Sequence, residues 1–172
     1  MFLKFIKNFG LKKTIKKLLA KYQPGPMPDA VNTVGVVIDE RYFNDRNAIV
    51  KELVKHGITE KNIELLSYRE RLNAKETVDC CYYTYKDIDA DGNFKKDDVA
   101  AFINKPFDML VSYYDTDSFP LMLATLKSNA KFKAGFSSTD SRLHHFMVNT
   151  TAEKHKEFLA ELFKYLKILN KI

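Results

Sequence analysis

From residue 33 onward, apolar positions fall into short β-branched runs separated by stretches with helical spacing. Residues 33–38 (TVGVVI) form a nearly continuous apolar run, the pattern of a parallel strand buried on both faces. In residues 45–56, Ile49, Leu53 and Val54 make one helical stripe, Asn44 stands where it can cap the start, and Gly57 can end the helix. Residues 63–68 read as a second strand, 80–85 as extended chain, 95–104 as a helix opened by Asp97 and Asp98, and 107–114 as another strongly apolar strand. Pro120 starts a helix running to residue 129, with Ser118 or Asp117 as its cap. Strands over 131–136 and 146–149 follow. The last helix opens on a capping box, Thr150 and Glu153, and turns Phe158, Leu159, Leu162, Phe163, Leu166 and Leu169 inward.

Strand and helix alternate throughout residues 33–172, which predicts a single α/β domain built on an open, mostly parallel, Rossmann-like or flavodoxin-like sheet with helices on both faces. Ligands of such sheets bind beyond the carboxyl ends of the strands. The candidate crevice residues are therefore Asp39 and Glu40, then Asp115, Asp117 and Ser118, then Ser137, Ser138, Thr139 and Asp140.

The first 22 residues follow a different pattern. Phe2, Phe5, Ile6 and Phe9 form one helical stripe, and Leu11, Ile15, Leu18, Leu19 and Tyr22 form another on a different face. The change of face falls at Gly10, so two short helices with a kink there are expected. Residues 23–32 begin Gln-Pro-Gly-Pro-Met-Pro, a stiff, extended linker that would separate this basic amphipathic arm, residues 1–22, from the body.

Charge sharpens that division. The chain has 172 residues, with 28 Lys and Arg against 22 Asp and Glu. Seven of the lysines (Lys4, Lys7, Lys12, Lys13, Lys16, Lys17, Lys21) lie in the arm, which has no acid, so residues 23–172 hold 21 basic and 22 acidic groups, net −1. The arm is thus the candidate surface-binding element, its lysines joined by Phe2, Phe5 and Phe9. An anionic membrane surface or a membrane complex is the first expected partner, because each lysine beside an anionic bilayer contributes about 1 kcal/mol. Ribosomal RNA would exploit the same charge, but RNA-binding arms favour the forked guanidinium of Arg and this arm has only Lys. Docking of the apolar stripes on the protein's own body is the plain structural alternative.

Lysine interrupts every apolar run of the arm, so no signal-peptide h-region and no membrane span is expected, and the setting reads as cytoplasmic, peripheral on the inner membrane or ribosome-bound. Adjacent Cys80 and Cys81 lack metal-site spacing and suit ordinary packing.

Catalytic signatures are weak. Asp39-Glu40-Arg41-Tyr42-Phe43 stands where a glycine-rich phosphate loop would follow the first strand, so no dinucleotide or other cofactor is expected. Asp115-Thr116-Asp117-Ser118 resembles the aspartate pair of haloacid-dehalogenase phosphatases, although that family carries the pair on its first strand; helix capping is the simpler role. Asp87, Asp89, Asp91, Gly92 and Asp98 follow much of a calcium-loop spacing, without the final Glu and after a strand rather than a helix, so a solvated turn is expected and no metal. His144 and His145 diverge as neighbours in a strand.

Two family resemblances complete the picture. Phe107-Asp108-Met109-Leu110-Val111 and the segment from Leu121 to Phe136 are similar to the acceptor half of lipopolysaccharide heptosyltransferases, which implies a fold more than an activity. The Lys-rich opening, Val34-Gly35-Val36-Val37-Ile38-Asp39, residues 107–115, residues 130–136 and the closing YLKILNKI together resemble a family of uncharacterised proteins from Bacteroidota, which supplies no catalytic residues. The function expected is a non-enzymatic binding or adaptor module tethered by its arm. An RNA-associated protein is the first alternative, and a small hydrolase or glycosyltransferase-like enzyme using the acidic crevice is the second.

Overall fold

The structure is a computed structural model that describes residues 1–71 and 80–172. Six strands form one parallel sheet: β1 (Val34–Asp39), β2 (Ile63–Tyr68), β3 (Cys81–Tyr83), β4 (Met109–Tyr113), β5 (Phe132–Phe136) and β6 (Phe146–Val148), in the spatial order β3-β2-β1-β4-β5-β6. This is the Rossmann order, with the reversal between β1 and β4. The apolar runs read from the sequence at β1, β4 and β5 become strands buried along their whole length, while β2, β3 and β6 towards the sheet edges are only partly buried.

Two cores lie on the two faces. Val34, Val36 and Ile38 of β1 and Met109, Val111 and Tyr113 of β4 meet α2 (Arg46–Lys55) and α5 (His155–Ile168). Val37, Leu66 and Leu110 point the other way, towards α1 (Phe2–Lys21), α3 (Asp97–Asn104) and α4 (Phe119–Lys127). Gly35 belongs to this second face, where a Cβ would lie 2.8 Å from the Phe107 ring. Gly57 ends α2 with φ +105°, a conformation a side chain would strain.

Several local expectations are corrected. Asp45 caps α2 in place of Asn44, accepting the Ala48 N–H at 3.0 Å. The Thr150/Glu153 capping box does not open the last helix; α5 begins at His155, because Ala152 is tied to Asp115 instead. The N-terminal segment is one helix and not two, and it runs unbroken through Gly10. Leu11 and Ile15, 0% and 3% exposed, enter the core against α4, so the second apolar stripe docks on the body. Nor is the linker a free spacer: Met27 packs against the α2/α5 core, Pro28 is buried, and the Val31 N–H donates to the Lys171 carbonyl at 2.8 Å. Gly10 marks a close approach rather than a kink, since a Cβ there would stand 3.0 Å from the Ala90 carbonyl oxygen.

Candidate functional site

Docking divides the arm's side chains into two sets. At about 100° per residue, the buried Leu11 and Ile15 define an inner face that also holds Lys4, Lys7 and Leu18. The opposite, outer face carries Phe2, Phe5, Ile6 and Phe9 along the first half of α1 and Lys12, Lys13, Lys16 and Lys17 along the second. Phe2, Phe5 and Phe9 are 75%, 71% and 68% exposed, and these four lysines are exposed with them. Lys21 is exposed near the helix end. Lys7 is turned to the body: its Nζ donates to the Tyr85 carbonyl at 2.5 Å and lies 4.1 Å from that ring's centroid, while Lys4 Nζ lies at 5.9 Å. The Tyr85 hydroxyl donates to Asn8 Oδ1 at 2.6 Å, so the helix is pinned by polar as well as apolar contacts. Among the described residues no helix is long and apolar enough to cross a membrane.

The strand-end crevice holds the predicted carboxylates, but each is engaged by the protein itself. Asp39, at the end of β1, accepts the Arg41 guanidinium in a two-bond fork, Nε at 2.8 Å and Nη2 at 2.7 Å. Glu40 pairs with Arg46 and Arg69 and accepts the Ser67 hydroxyl at 2.7 Å. Asp115 and Asp117 each accept a backbone N–H from another loop, and neither stands at the cap position of α4. Asp115 Oδ2 accepts the Ala152 N–H at 2.9 Å, and Asp117 accepts the Asp140 N–H at 3.1 Å. Ser118 occupies the cap position of α4 without a side-chain cap bond. Asp140 forks with Arg142, and the Ser137 hydroxyl contacts Asn149 Oδ1 at 3.3 Å. These residues therefore lace together the loops after β4, β5 and β6. Burial and the neighbouring Asp140 push the Asp117 carboxyl up, while Arg142 holds Asp140 below the ordinary carboxylate range.

In the Asp87–Asp98 loop, Asp87 accepts the Thr84 N–H at 2.7 Å, and Asp89 accepts the N–H groups of Asp91 and Asn93 at 2.9 and 2.8 Å. The spacing thus serves local turns. Among the described residues no three His, Cys, Asp or Glu side chains are grouped to hold a metal ion. Burial raises the Cys81 thiol to about 12, which leaves no thiolate at neutral pH.

One polar cluster is absent from the sequence reading. Lys133 lies within β5 and is 2% exposed; its Nζ donates to the Thr125 carbonyl at 2.7 Å and lies 5.0 Å from the Tyr22 ring centroid. Thr125 Oγ1 in turn meets Ser112 Oγ at 3.0 Å and the Tyr114 hydroxyl at 2.7 Å. Beside them His145 Nδ1 accepts the Lys133 N–H at 2.9 Å, and its Nε2 meets the Tyr22 hydroxyl at 3.3 Å. Burial lowers Lys133 to about 8 and His144 to about 3. A lysine inside the buried run Phe132-Lys133-Ala134-Gly135-Phe136 is the signal that would have found this cluster.

Residues 7–169 match the model of a family of unknown function, DUF6913, and so take in α1 from Lys7, the linker and the whole sheet. The chain belongs to that family. No curated protein and no solved structure matches the chain. The matched span thus takes in the arm from Lys7 onward together with the Rossmann-ordered body, and leaves Phe2, Phe5 and Ile6 just outside it.

Proposed function

We propose that this DUF6913 protein is a non-enzymatic α/β binding module held on an anionic bilayer by the outer face of α1. The observation that carries the reading is the alignment of exposed Phe2, Phe5, Ile6 and Phe9 with exposed Lys12, Lys13, Lys16 and Lys17 on one side of a helix that contains no acid. Aromatic and aliphatic side chains that face water cost free energy which insertion at the headgroup level recovers, at about 25 cal/mol per Å² of apolar surface. Four lysines near anionic lipid add about 1 kcal/mol each. Because Leu11 and Ile15 already fix the helix on the body, binding orders little further chain, and the membrane meets a preformed face. The crevice carboxylates weigh against a hydrolase, since Asp39, Asp115, Asp117 and Asp140 are all engaged in loop bonds.

The test is co-sedimentation of the full chain with vesicles of phosphatidylglycerol and phosphatidylcholine in equal parts, compared with phosphatidylcholine alone. The anionic vesicles should retain the protein, and both Phe2→Ala/Phe5→Ala/Phe9→Ala and Lys12→Gln/Lys13→Gln/Lys16→Gln/Lys17→Gln should release it. Retention of the lysine variant, or equal binding to the neutral vesicles, overturns the reading. Failure to bind vesicles together with salt-sensitive comigration with ribosomes would replace it with RNA attachment.

A further inference from the structure

The inner face of α1 covers a cleft that membrane attachment does not use. Its cavity of about 860 Å³ lies beyond the carboxyl ends of β1, β2, β3 and β4, beside the point where the strand order reverses. Aromatic and aliphatic side chains wall it: Tyr68 at the end of β2, Tyr85 after β3, and Phe119, Pro120 and Met122 at the start of α4, with Leu3 overhead. Small-molecule sites are typically apolar cavities of roughly 300–1,000 Å³ with a few fixed polar groups. Here the polar groups are mostly cations. Lys4, Lys7, Arg41, Arg71 and Lys86 line the cleft against the two acids Glu70 and Asp117.

The cations differ in how firmly they are held. Arg41 is fixed by its fork to Asp39 and lies 5.0 Å from the Tyr68 ring centroid, so it forms part of the wall. Lys7 has an uncharged carbonyl and an aromatic face as its direct partners, with Asp89, Asp87 and Lys95 acting on it only through longer-range charge. Ser118 also lines the cleft, and its Oγ is buried and makes no hydrogen bond among the described residues. Bulk after β1, Arg41-Tyr42-Phe43, replaces the glycine turn that lets a pyrophosphate approach a helix, which argues against a dinucleotide.

We propose that this cleft binds an anionic amphiphile: a carboxylate or phosphate head on Lys4 and Lys7, and an acyl-sized apolar body along Tyr68, Tyr85 and Met122. The apolar walls supply the transfer term and the lysines fix the head. The proposal rests on the cleft alone and not on the membrane reading.

The full chain is titrated calorimetrically with sodium laurate below its micellar concentration, with inorganic phosphate and dodecanol as probes of head and body alone. One laurate per chain is expected, bound at least tenfold more tightly than either partial probe. Lys7→Glu should weaken laurate by about tenfold or more, the scale of a lost charge-assisted bond, and Met122→Trp should fill the cavity and abolish binding. Lys7→Glu alters a partly exposed position, so it keeps the test alive if Met122→Trp does not fold. Laurate binding unchanged in folded Lys7→Glu, several laurates per chain, or phosphate binding as tight as laurate overturns the proposal. Competition by phosphatidylglycerol vesicles identifies a bilayer lipid as the source of the ligand, and lack of competition a free fatty acid; both uphold the site. The Phe2→Ala/Phe5→Ala/Phe9→Ala variant separates the two readings, because it should lose vesicles and keep laurate.

Discussion

Gly135 and His144 are fitted to each other: a Cβ on residue 135 would lie 2.4 Å from the imidazole of His144. The ring is buried beside β5, with Nδ1 3.5 Å from Thr139 Oγ1, and the absence of a side chain at 135 is what gives it room. Gly135→Ala should therefore destabilise the fold by about 2 kcal/mol, the range of overpacking in a filled core. Chemical denaturation measures the loss. Combined with His144→Ala, the same change should cost much less than it does alone, a coupling that a double-mutant cycle reads directly.

His144 also carries a pH dependence. Burial, reinforced by the charges of Lys133 and His145 and opposed by Asp140, holds its folded pKa at about 3, well below the ordinary 6.5. Between those values the unfolded chain binds a proton that the folded chain refuses. Stability from this group is thus complete above pH 6.5 and falls as the pH drops, by about 1.4 kcal/mol per pH unit. His56 and His145 are also lowered by burial and act in the same direction. His144→Gln should flatten the stability profile between pH 6 and roughly pH 4.5, above the carboxylate range. An unchanged slope would show that the ring is not buried as described.

The strands were legible because a parallel strand covered on both faces writes a continuous apolar run, as at Val34–Asp39 and Met109–Tyr113. The arm was half legible. Its two apolar stripes, Phe2/Phe5/Phe9 and Leu11/Ile15, are equally plain in sequence, and only the shape of the α4 surface decides which one docks. Gly10 could mark a kink or a close approach, and the Ala90 carbonyl that makes it the latter is 80 residues away. The roles of Asp115 and Asp117 were hidden for the same reason, since their partners Ala152 and Asp140 come from loops after other strands. Lys133 leaves little trace in the pattern, because a single lysine scarcely alters an apolar run.

That lysine should be a measurable burden at neutral pH. Its folded pKa of about 8 against the usual 10.5 means that the unfolded chain binds the extra proton between those values. Stability therefore rises with pH from 8 to 10.5, and below pH 8 the full cost of a buried ammonium is present. Lys133→Met removes the charge and keeps the length. At about 1.4 kcal/mol per pH unit of displacement, less about 1 kcal/mol for the lost bond to the Thr125 carbonyl, the variant should be more stable by about 2 kcal/mol at pH 7. The advantage should shrink through pH 8 to 10.5 and reverse by pH 10.5, where only the lost bond of about 1 kcal/mol remains against the variant. Melting temperatures at the two pH values decide it, and a variant less stable at pH 7 would mean that the Lys133–Thr125 bond outweighs the buried charge.

Gly10 sets helix propensity against packing. Alanine is better than glycine in a helix interior by about 1 kcal/mol, and an isolated arm peptide carrying Gly10→Ala should become more helical. In the whole protein the new Cβ would meet the Ala90 carbonyl oxygen at 3.0 Å. That carbonyl belongs to a turn stiffened by Asp89, which accepts the N–H groups of Asp91 and Asn93, so it yields little. The Thr14 hydroxyl contact to the Asp91 carbonyl at 3.5 Å sits one helical turn further on and would shift with it. Gly10→Ala should therefore loosen α1 from the body while stabilising the helix itself. Faster amide exchange at Leu11 and Ile15, without loss of exchange protection in β1 or β4, is the expected result. Slower exchange at those residues would show that the Ala90 turn gives way and that propensity wins.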